Sequence, residues 1–97
     1  MNPKQLIAHR GWQQRYPENT LIAVKQAIAA GARNIEIDIQ FCADAVPVLC
    51  HDHDLKRISG QARKIHQCSL KTIAGLSVFE PARLGQQFHG TPFCTLD

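Results

Sequence analysis

Two carboxylates in the middle of this sequence have types and spacing that could do chemistry. Glu36 and Asp38 stand two residues apart in the alternating segment Asn34–Gln40, so on a β-strand both would project from one face. Adjacent carboxylates repel each other and lose solvation, and a bound cation relieves that cost. Oxygen ligands favour Mg²⁺ or Ca²⁺ over a soft metal. Taken alone, the pattern is more typical of a half-exposed strand whose outer face is in contact with water.

His9 and His51 add imidazoles to this pair. His9 follows the short apolar run Gln5–Ala8, at the end of a predicted strand, where parallel α/β folds build their sites. A hairpin turn centred near Ala43–Asp44 would pair Asp38 with His51, and directly opposed side chains share one face. Two imidazoles flanking a metal are a natural general acid and general base at neutral pH.

Other polar residues near these positions have more than one interpretation. Arg10 follows His9 and could hold two phosphate oxygens in its fork, or it could be an exposed arginine in a loop. Glu18 would complement the N-terminus of a helix. Asp52 either belongs to a turn or supports its neighbour His51. Ordinary surface or core positions account for the remaining histidines, which are His53, His66 and His89.

A helix should connect the first two strands. Asn19 and Thr20 offer side-chain oxygens that can cap it. Its apolar positions fall on one face, and they are Leu21, Val24 and Ile28. Gly31 is predicted to end this helix of about three turns.

The strands that follow should form a hairpin. Asn34–Gln40 is predicted as one unbroken strand, and Val46–Cys50 follows too soon for a crossover helix, so the two should be antiparallel neighbours. Strand, helix and strand in that order indicate the start of a βαβ fold. Beyond the hairpin, a short helix capped by Ser69 is predicted, and residues 76–95 should be mainly irregular.

The composition narrows the class of protein. The 97 residues carry a formal charge of +3 without a cationic cluster, which argues against a nucleic-acid surface and suits a small anionic substrate. The four cysteines form no CxxC pair, so a zinc module is not expected. We expect no signal peptide and no membrane span, and therefore a cytoplasmic protein.

Taken together, these segments resemble the glycerophosphodiester phosphodiesterase family. Each motif is weak alone, but they keep their order and spacing over nearly the whole chain. The matching segments are Ala8-His9-Arg10-Gly11, Pro17-Glu18-Asn19-Thr20, Gly31-Ala32, Ile35-Glu36-Ile37-Asp38, Asp44, Pro47-Val48, His51-Asp52, Leu55, Arg57-Ile58-Ser59-Gly60, Thr91-Pro92 and Thr95-Leu96.

The resemblance implies an α/β fold, the N-terminal part of a (β/α)8 TIM barrel of the phospholipase-C-like phosphodiesterase type, truncated, with residues 1–97 in one domain and no second domain. It implies metal-dependent hydrolysis of a small-molecule glycerophosphodiester to sn-glycerol 3-phosphate and an alcohol. His9 and His51 would be the acid/base pair, and Arg10 would bind the phosphate. Glu36 and Asp38 would ligate Ca²⁺ or Mg²⁺.

One departure from the family pattern limits what this chain should do alone. Family members carry a third acidic metal ligand on a later strand, and Glu80 is a poor substitute because no strand pattern surrounds it. We therefore expect weak or no activity, and self-association through an open sheet edge. The alternatives are a catalytically dead fragment that keeps a metal or phosphate pocket, or a related reaction like that of sphingomyelinase D or phosphoinositide phospholipase C.

Overall fold

A computed structural model describes residues 7–96 of the chain. The predicted strand residues Gln5 and Leu6 lie outside this range. The strands are β1 (Ile7–His9), β2 (Asn34–Glu36), β3 (Ile39–Phe41) and β4 (Pro47–Leu49). The helices are α1 (Leu21–Ala29), α2 (Lys56–Ser59), α3 (Leu70–Ala74) and α4 (Pro81–Leu84), with a 3-10 helix at Ile65–Gln67.

The predicted strand–helix–strand beginning is confirmed. β1 and β2 pair in parallel, and α1 connects them. The register places His9 directly opposite Glu36, so an imidazole and a carboxylate stand side by side where both strands end. The parallel pair therefore brings together two of the predicted site residues.

Helix α1 begins and ends where the sequence predicts, and the face that it buries carries alanines instead of the larger apolar residues. The Thr20 side chain accepts a hydrogen bond from the Ala23 N–H at 3.2 Å, and Gly31 follows the helix with φ +99°. Ala23 is buried, whereas Leu21 and Ile28 are 51% and 58% exposed. The alanine face is the one that packs because the turn after β1 approaches the helix too closely for a larger side chain.

Gly11 shows how close that approach is. A Cβ atom on Gly11 would lie 2.7 Å from Ala23 Cβ and 2.8 Å from the Ala23 carbonyl carbon, closer than real atoms approach. Gly11 also has φ +75°, which favours glycine. The turn that follows His9 is therefore fixed by backbone geometry and by the absence of a side chain.

The prediction of one unbroken strand over Asn34–Gln40 is wrong. The segment divides into β2 and β3, which belong to separate two-stranded sheets. Between them, the Asp38 N–H donates to the Asn19 side-chain oxygen at 3.1 Å, and the Asp38 carbonyl accepts from the Cys50 N–H at 2.8 Å. The side chain of Asn19 takes the place of a neighbouring strand, so Asp38 lies at the junction of the two sheets.

The predicted antiparallel hairpin is confirmed in β3 and β4, but its register differs by one from the pairing expected for the site. Ile39 pairs with Leu49, and the next step outward places Asp38 opposite Cys50 instead of His51. The turn is closed by a hydrogen bond from the Cys42 N–H to the Val46 carbonyl at 3.2 Å. His51 is thus one residue beyond the position predicted for it.

The core lies behind the hairpin. It is built from apolar residues of β4 and of the helices and loops that follow, together with three buried thiols. Its members are Cys42, Val48, Cys50, Leu55, Ile58, Ile65, Cys68, Ile73 and Val78. Burial raises the pKa of the Cys50 thiol to about 12, so this cysteine is an inert core residue.

The C-terminal segment contributes a short helix and a bridge to the hairpin. Helix α4 interrupts the stretch over residues 76–95 that the sequence predicts to be mainly irregular. Further on, the Leu49 N–H donates to the Cys94 carbonyl at 2.8 Å, and Thr95 forms a β-bridge with Val48. None of the helices in residues 7–96 has the length and apolar character needed to cross a membrane.

Candidate active site

His9 and Glu36 form one half of the site. His9 Nε2 lies 3.5 Å from Glu36 Oε1, and the Gln13 amide nitrogen donates to His9 Nδ1 at 2.9 Å. The Glu36 side chain is 42% exposed, yet its Oε1 atom is shielded from solvent and has no hydrogen-bond partner. An unsatisfied carboxylate oxygen beside an imidazole is a natural position for a bound cation.

Arg10 is held in the turn after His9 by its backbone. It adopts a left-handed conformation with φ 55°, its N–H donates to the Glu36 carbonyl at 2.7 Å, and its carbonyl accepts from the Asn19 N–H at 2.9 Å. A non-glycine residue pays a conformational cost in this region, and such cost concentrates at functional sites. These two backbone bonds hold Arg10 in that conformation.

The Arg10 guanidinium is shared between two carboxylates. Nη1 donates to Glu18 at 3.2 Å, and Nε lies 3.1 Å from Asp38 Oδ2. The contact with Asp38 is an ion pair without the alignment of a hydrogen bond, since Nε has no well-aligned acceptor. The same Asp38 oxygen accepts from the Asn19 amide at 3.2 Å. Asp38 is therefore fixed by one arginine and one asparagine.

His51 has a different kind of support. Its Nδ1 atom lies 2.6 Å from Asp52 Oδ1, so Asp52 supports His51, as one of the two sequence interpretations holds. Hydrogen bonds from Arg57 lower the pKa of Asp52 to about 2. The Gln40 side chain donates to the His51 carbonyl at 3.1 Å and ties the residue to β3. His51 is thus anchored through its ring and its backbone.

A cluster of ion pairs is centred on two buried carboxylates and includes Arg10 and Asp52, which follow the two histidines in the chain. We call it the buried ion network: Arg10, Glu18, Asp52, Arg57, Glu80 and Arg83. Glu18 and Glu80 are each only 2% exposed. Burial opposes the ionisation of Glu18, but Arg57 and Arg10 outweigh it, so the pKa of Glu18 lies below its ordinary value. Glu80 accepts the Glu18 N–H at 2.9 Å.

The sequence suggests roles for Arg10, Glu18 and Asp52 but none for Arg57 or Arg83, and it does not predict that these residues form one network. Arg57 and Glu80 are separated from Glu18 by 39 and 62 residues, so no local pattern connects them. The sequence predicts that Glu80 is a poor metal ligand, and its oxygens accept from Arg83 at 2.6 and 3.0 Å. Its φ of 48° marks it as a constrained residue, which only the structure shows.

The predicted ligands fit part of a divalent-cation site. Glu36 offers an unpartnered oxygen, and Asp38 offers a second carboxylate two residues along the chain. Both supply oxygen, the donor that Ca²⁺ and Mg²⁺ prefer. Within residues 7–96, however, no group of three or more His, Cys, Asp or Glu side chains converges on a point that could hold a metal. Glu36 and Asp38 therefore have the donor chemistry of such a site, but the described residues do not complete it.

Comparisons with known proteins connect this arrangement to one family. The family model described as glycerophosphoryl diester phosphodiesterase matches residues 9–97. Human glycerophosphodiester phosphodiesterase 1 is 37% identical over 90 residues, which are 93% of this chain and 27% of that protein. The rat protein of the same name is 38% identical over 82 residues, 84% of this chain and 25% of its own length.

Two solved structures share the fold. A glycerophosphodiester phosphodiesterase from Agrobacterium tumefaciens is 29% identical with a TM-score of 0.87, covering 97% of this chain and 40% of its own. An Oleispira antarctica phosphodiesterase, solved with its product sn-glycerol-3-phosphate, is 33% identical with a TM-score of 0.87, covering 95% of this chain and 36% of its own. The solved relatives are TIM barrels, so the predicted fold class is confirmed.

Proposed function

This chain belongs to the glycerophosphoryl diester phosphodiesterase family, whose members are hydrolases, and we propose that its site residues serve the metal-dependent hydrolysis of glycerophosphodiesters. The products would be sn-glycerol 3-phosphate and an alcohol. Because the chain spans about a quarter of the curated relatives, the activity of the whole domain is part of the proposal.

The observation that carries the proposal is the pairing of His9 with Glu36. The parallel register brings the two side chains to 3.5 Å, and it leaves one Glu36 oxygen shielded from solvent without a hydrogen bond. Arg10 follows in the same turn and its guanidinium contacts Asp38, so neighbouring residues supply an imidazole, an open carboxylate oxygen and a guanidinium where β1 and β2 end. That combination suits a phosphodiester and a cation bound together.

His9 and His51 supply the acid and base, and their ring partners differ. The amide nitrogen of Gln13 can only donate, so His9 Nδ1 accepts and the proton of a neutral ring is on Nε2. Asp52 is ionised and can only accept, so His51 Nδ1 carries a proton and Nε2 of its neutral ring is free to take one. The two rings are therefore suited to opposite proton transfers.

Arg10 has capacity left for a phosphate oxygen. Its Nη1 and Nε atoms face Glu18 and Asp38. Among residues 7–96, its Nη2 atom has no such partner. One guanidinium could thus orient the substrate while it stays anchored in the fold.

Glu36 and Asp38 are the residues that would hold the cation, and we propose Ca²⁺ or Mg²⁺ because both ligands are oxygens. The family generally depends on a divalent metal. When bound, such a cation polarises the phosphoryl oxygens. Asp38 is kept in place for this role by Asn19, which bonds its backbone N–H and its carboxylate.

We propose that this chain alone is weakly active or inactive. Two carboxylates without a third give a weak cation site, and within the described residues no third acidic side chain joins them. The same observation favours the second candidate, a catalytically dead piece that keeps a metal or phosphate pocket. Exposed apolar residues on both sheets, including Ile7 and Phe41 at 63% and 59% exposed, support self-association.

A coupled assay for sn-glycerol 3-phosphate release from glycerophosphocholine, with Ca²⁺ or Mg²⁺, tests the proposal. We expect slow release that EDTA abolishes and that His9→Gln and His51→Gln each reduce to background. His66→Gln is the matched control, because this exposed histidine lies on the 3-10 helix. Release that persists in both site variants would refute the assigned roles, and turnover at ordinary enzyme rates would refute the expectation of weak activity.

A further inference from the structure

The support of His51 reaches further than its neighbour Asp52. His51 Nδ1 lies 2.6 Å from Asp52 Oδ1, and both oxygens of Asp52 are bonded by a single guanidinium. Arg57 donates from Nε to Asp52 Oδ2 at 2.9 Å and from Nη2 to Asp52 Oδ1 at 3.1 Å. Two parallel bonds fix the plane of the carboxylate as well as its position.

Arg57 is itself fixed from the protein interior. Nη1 and Nη2 donate to the two oxygens of Glu18 at 2.8 and 2.9 Å, and Nη1 also reaches Glu80 at 3.3 Å. Glu18 is buried and is bonded by Arg10 as well, while the Asp52 side chain is 25% exposed. The guanidinium therefore connects a rigid anchor inside the protein to a carboxylate at its surface.

We propose that Arg57 is a positioning residue that holds Asp52 against His51 Nδ1 and so keeps the proton of the neutral ring on Nδ1. Its effect reaches His51 Nε2, the nitrogen that would accept or donate a proton in the reaction. Arg57 acts only through Asp52 and touches no reacting atom. The inference deepens the proposed function and rests on that function only for its kinetic consequence.

The geometry requires arginine at this position. A lysine ammonium is a single charged point on a flexible chain and cannot form paired bonds to Asp52 and Glu18 at the same time. Arg57 uses Nε and Nη2 toward Asp52 while Nη1 and Nη2 face Glu18. Lysine would keep the charge but lose the paired bonds that orient Asp52.

The test reads the proton position on His51 directly. The chain is labelled with ¹⁵N-histidine, and the ring nitrogens of His51, assigned with His51→Gln, are recorded at a pH where the histidines are neutral. We expect the Nδ1–H form in the wild type. Arg57→Lys should shift part of the population to the Nε2–H form, and Asp52→Asn should shift most of it.

Arg83→Lys is the matched control. Arg83 is also an arginine on a short helix that bonds the buried Glu80, and its side chain is 40% exposed against 43% for Arg57, but its bonds reach Glu80 and the Tyr16 carbonyl instead of Asp52. The control should leave the His51 ring as in the wild type. A wild-type ring signal in Arg57→Lys, or an equal change in Arg83→Lys, would overturn the inference.

Two additions keep the test decisive. If Arg57→Lys does not fold, the wild-type chain still reports the contact through the coupling between the Arg57 Nε–H and the Asp52 carboxyl carbon, and its absence would overturn the inference. In any chain that turns over, Arg57→Lys should lower kcat about 10- to 100-fold with KM nearly unchanged. A ring shift without turnover in the wild type would support the positioning role and agree with a chain that is inactive alone, whereas turnover that survives His51→Gln would count against the proposed function and leave the positioning role standing.

Discussion

The two histidines of this site are held by different means. His9 depends on a tight backbone turn at Gly11 and on one exposed amide, that of Gln13. His51 depends on the buried ion network, through Asp52. The first half leaves a carboxylate oxygen unsatisfied, and the second leaves its carboxylates fully bonded. We call the half with His9 and Glu36 the open half, because its unsatisfied oxygen suits a bound cation. We call the half with His51 and the buried ion network the closed half, because its bonded carboxylates suit a ring whose proton must stay in place.

This difference separates groups that bind from groups that position. Buried ionised carboxylates are costly unless they are paired, so Glu18 and Glu80 require the three arginines around them. Glu36 is half-exposed and has no such partners. Substitutions should therefore destabilise the fold in the closed half and change ligand binding in the open half.

The largest effect is expected at the turn that carries His9. Gly11→Ala places a methyl group 2.7 Å from Ala23 and forces alanine to φ +75°. Overpacking and strain together should cost about 3 kcal/mol of unfolding free energy. Gly31→Ala is the control, with positive φ but nothing within 4 Å of the added atom, and should cost about 1 kcal/mol. Urea unfolding of the two variants measures both losses of unfolding free energy. Equal losses would contradict the close approach of Gly11 to Ala23.

The next effect contrasts the carboxylates of the two halves. Glu18→Gln removes a buried charge that two arginines bond, and should lower the unfolding free energy by about 2–3 kcal/mol. Glu36→Gln should change it by less than about 0.5 kcal/mol, because that side chain is half-exposed and has few partners. The same urea experiment compares them. A larger loss for Glu36→Gln would reverse the assignment of the open and closed halves.

A smaller effect should follow acidification. The folded pKa values of Glu18 and Asp52 lie below their ordinary 4.5 and 3.8, and that of Asp52 is about 2. The unfolded chain therefore binds more protons as the pH falls, so stability is complete above the ordinary values and is lost from about pH 4.5 toward pH 2. Asp52→Asn should flatten the lower part of this curve. An unchanged slope would show that Asp52 takes no part.

The local elements of the fold follow from local patterns. The Thr20 cap, the glycine after α1 and the antiparallel hairpin are each encoded within a few residues. The place of His9 at the end of the first strand was predicted too, whereas the end of β2 at Glu36, which puts the two side chains together, was not. These features depend on spacing along the chain, which a sequence displays directly.

The contacts between distant segments could not be foreseen. The break at Asp38 is made by Asn19, 19 residues earlier, whose side chain replaces a strand partner. The one-residue difference in the hairpin register moved His51 away from Asp38 and toward Asp52. Arg57 resembles any helix-surface arginine until its partners are known. Such pairings depend on the tertiary fold, and no periodic pattern of residue types along the sequence predicts them.

Titration of the 97-residue chain with Ca²⁺, and separately with Mg²⁺, followed by ¹H–¹⁵N spectra, tests the open half most directly. We expect weak, saturable shifts confined to Glu36, Asp38 and the turn at His9 and Arg10. They should be lost in Glu36→Gln and retained in His51→Gln. Shifts that survive in Glu36→Gln, or that appear elsewhere in the chain, would contradict a cation site at this carboxylate.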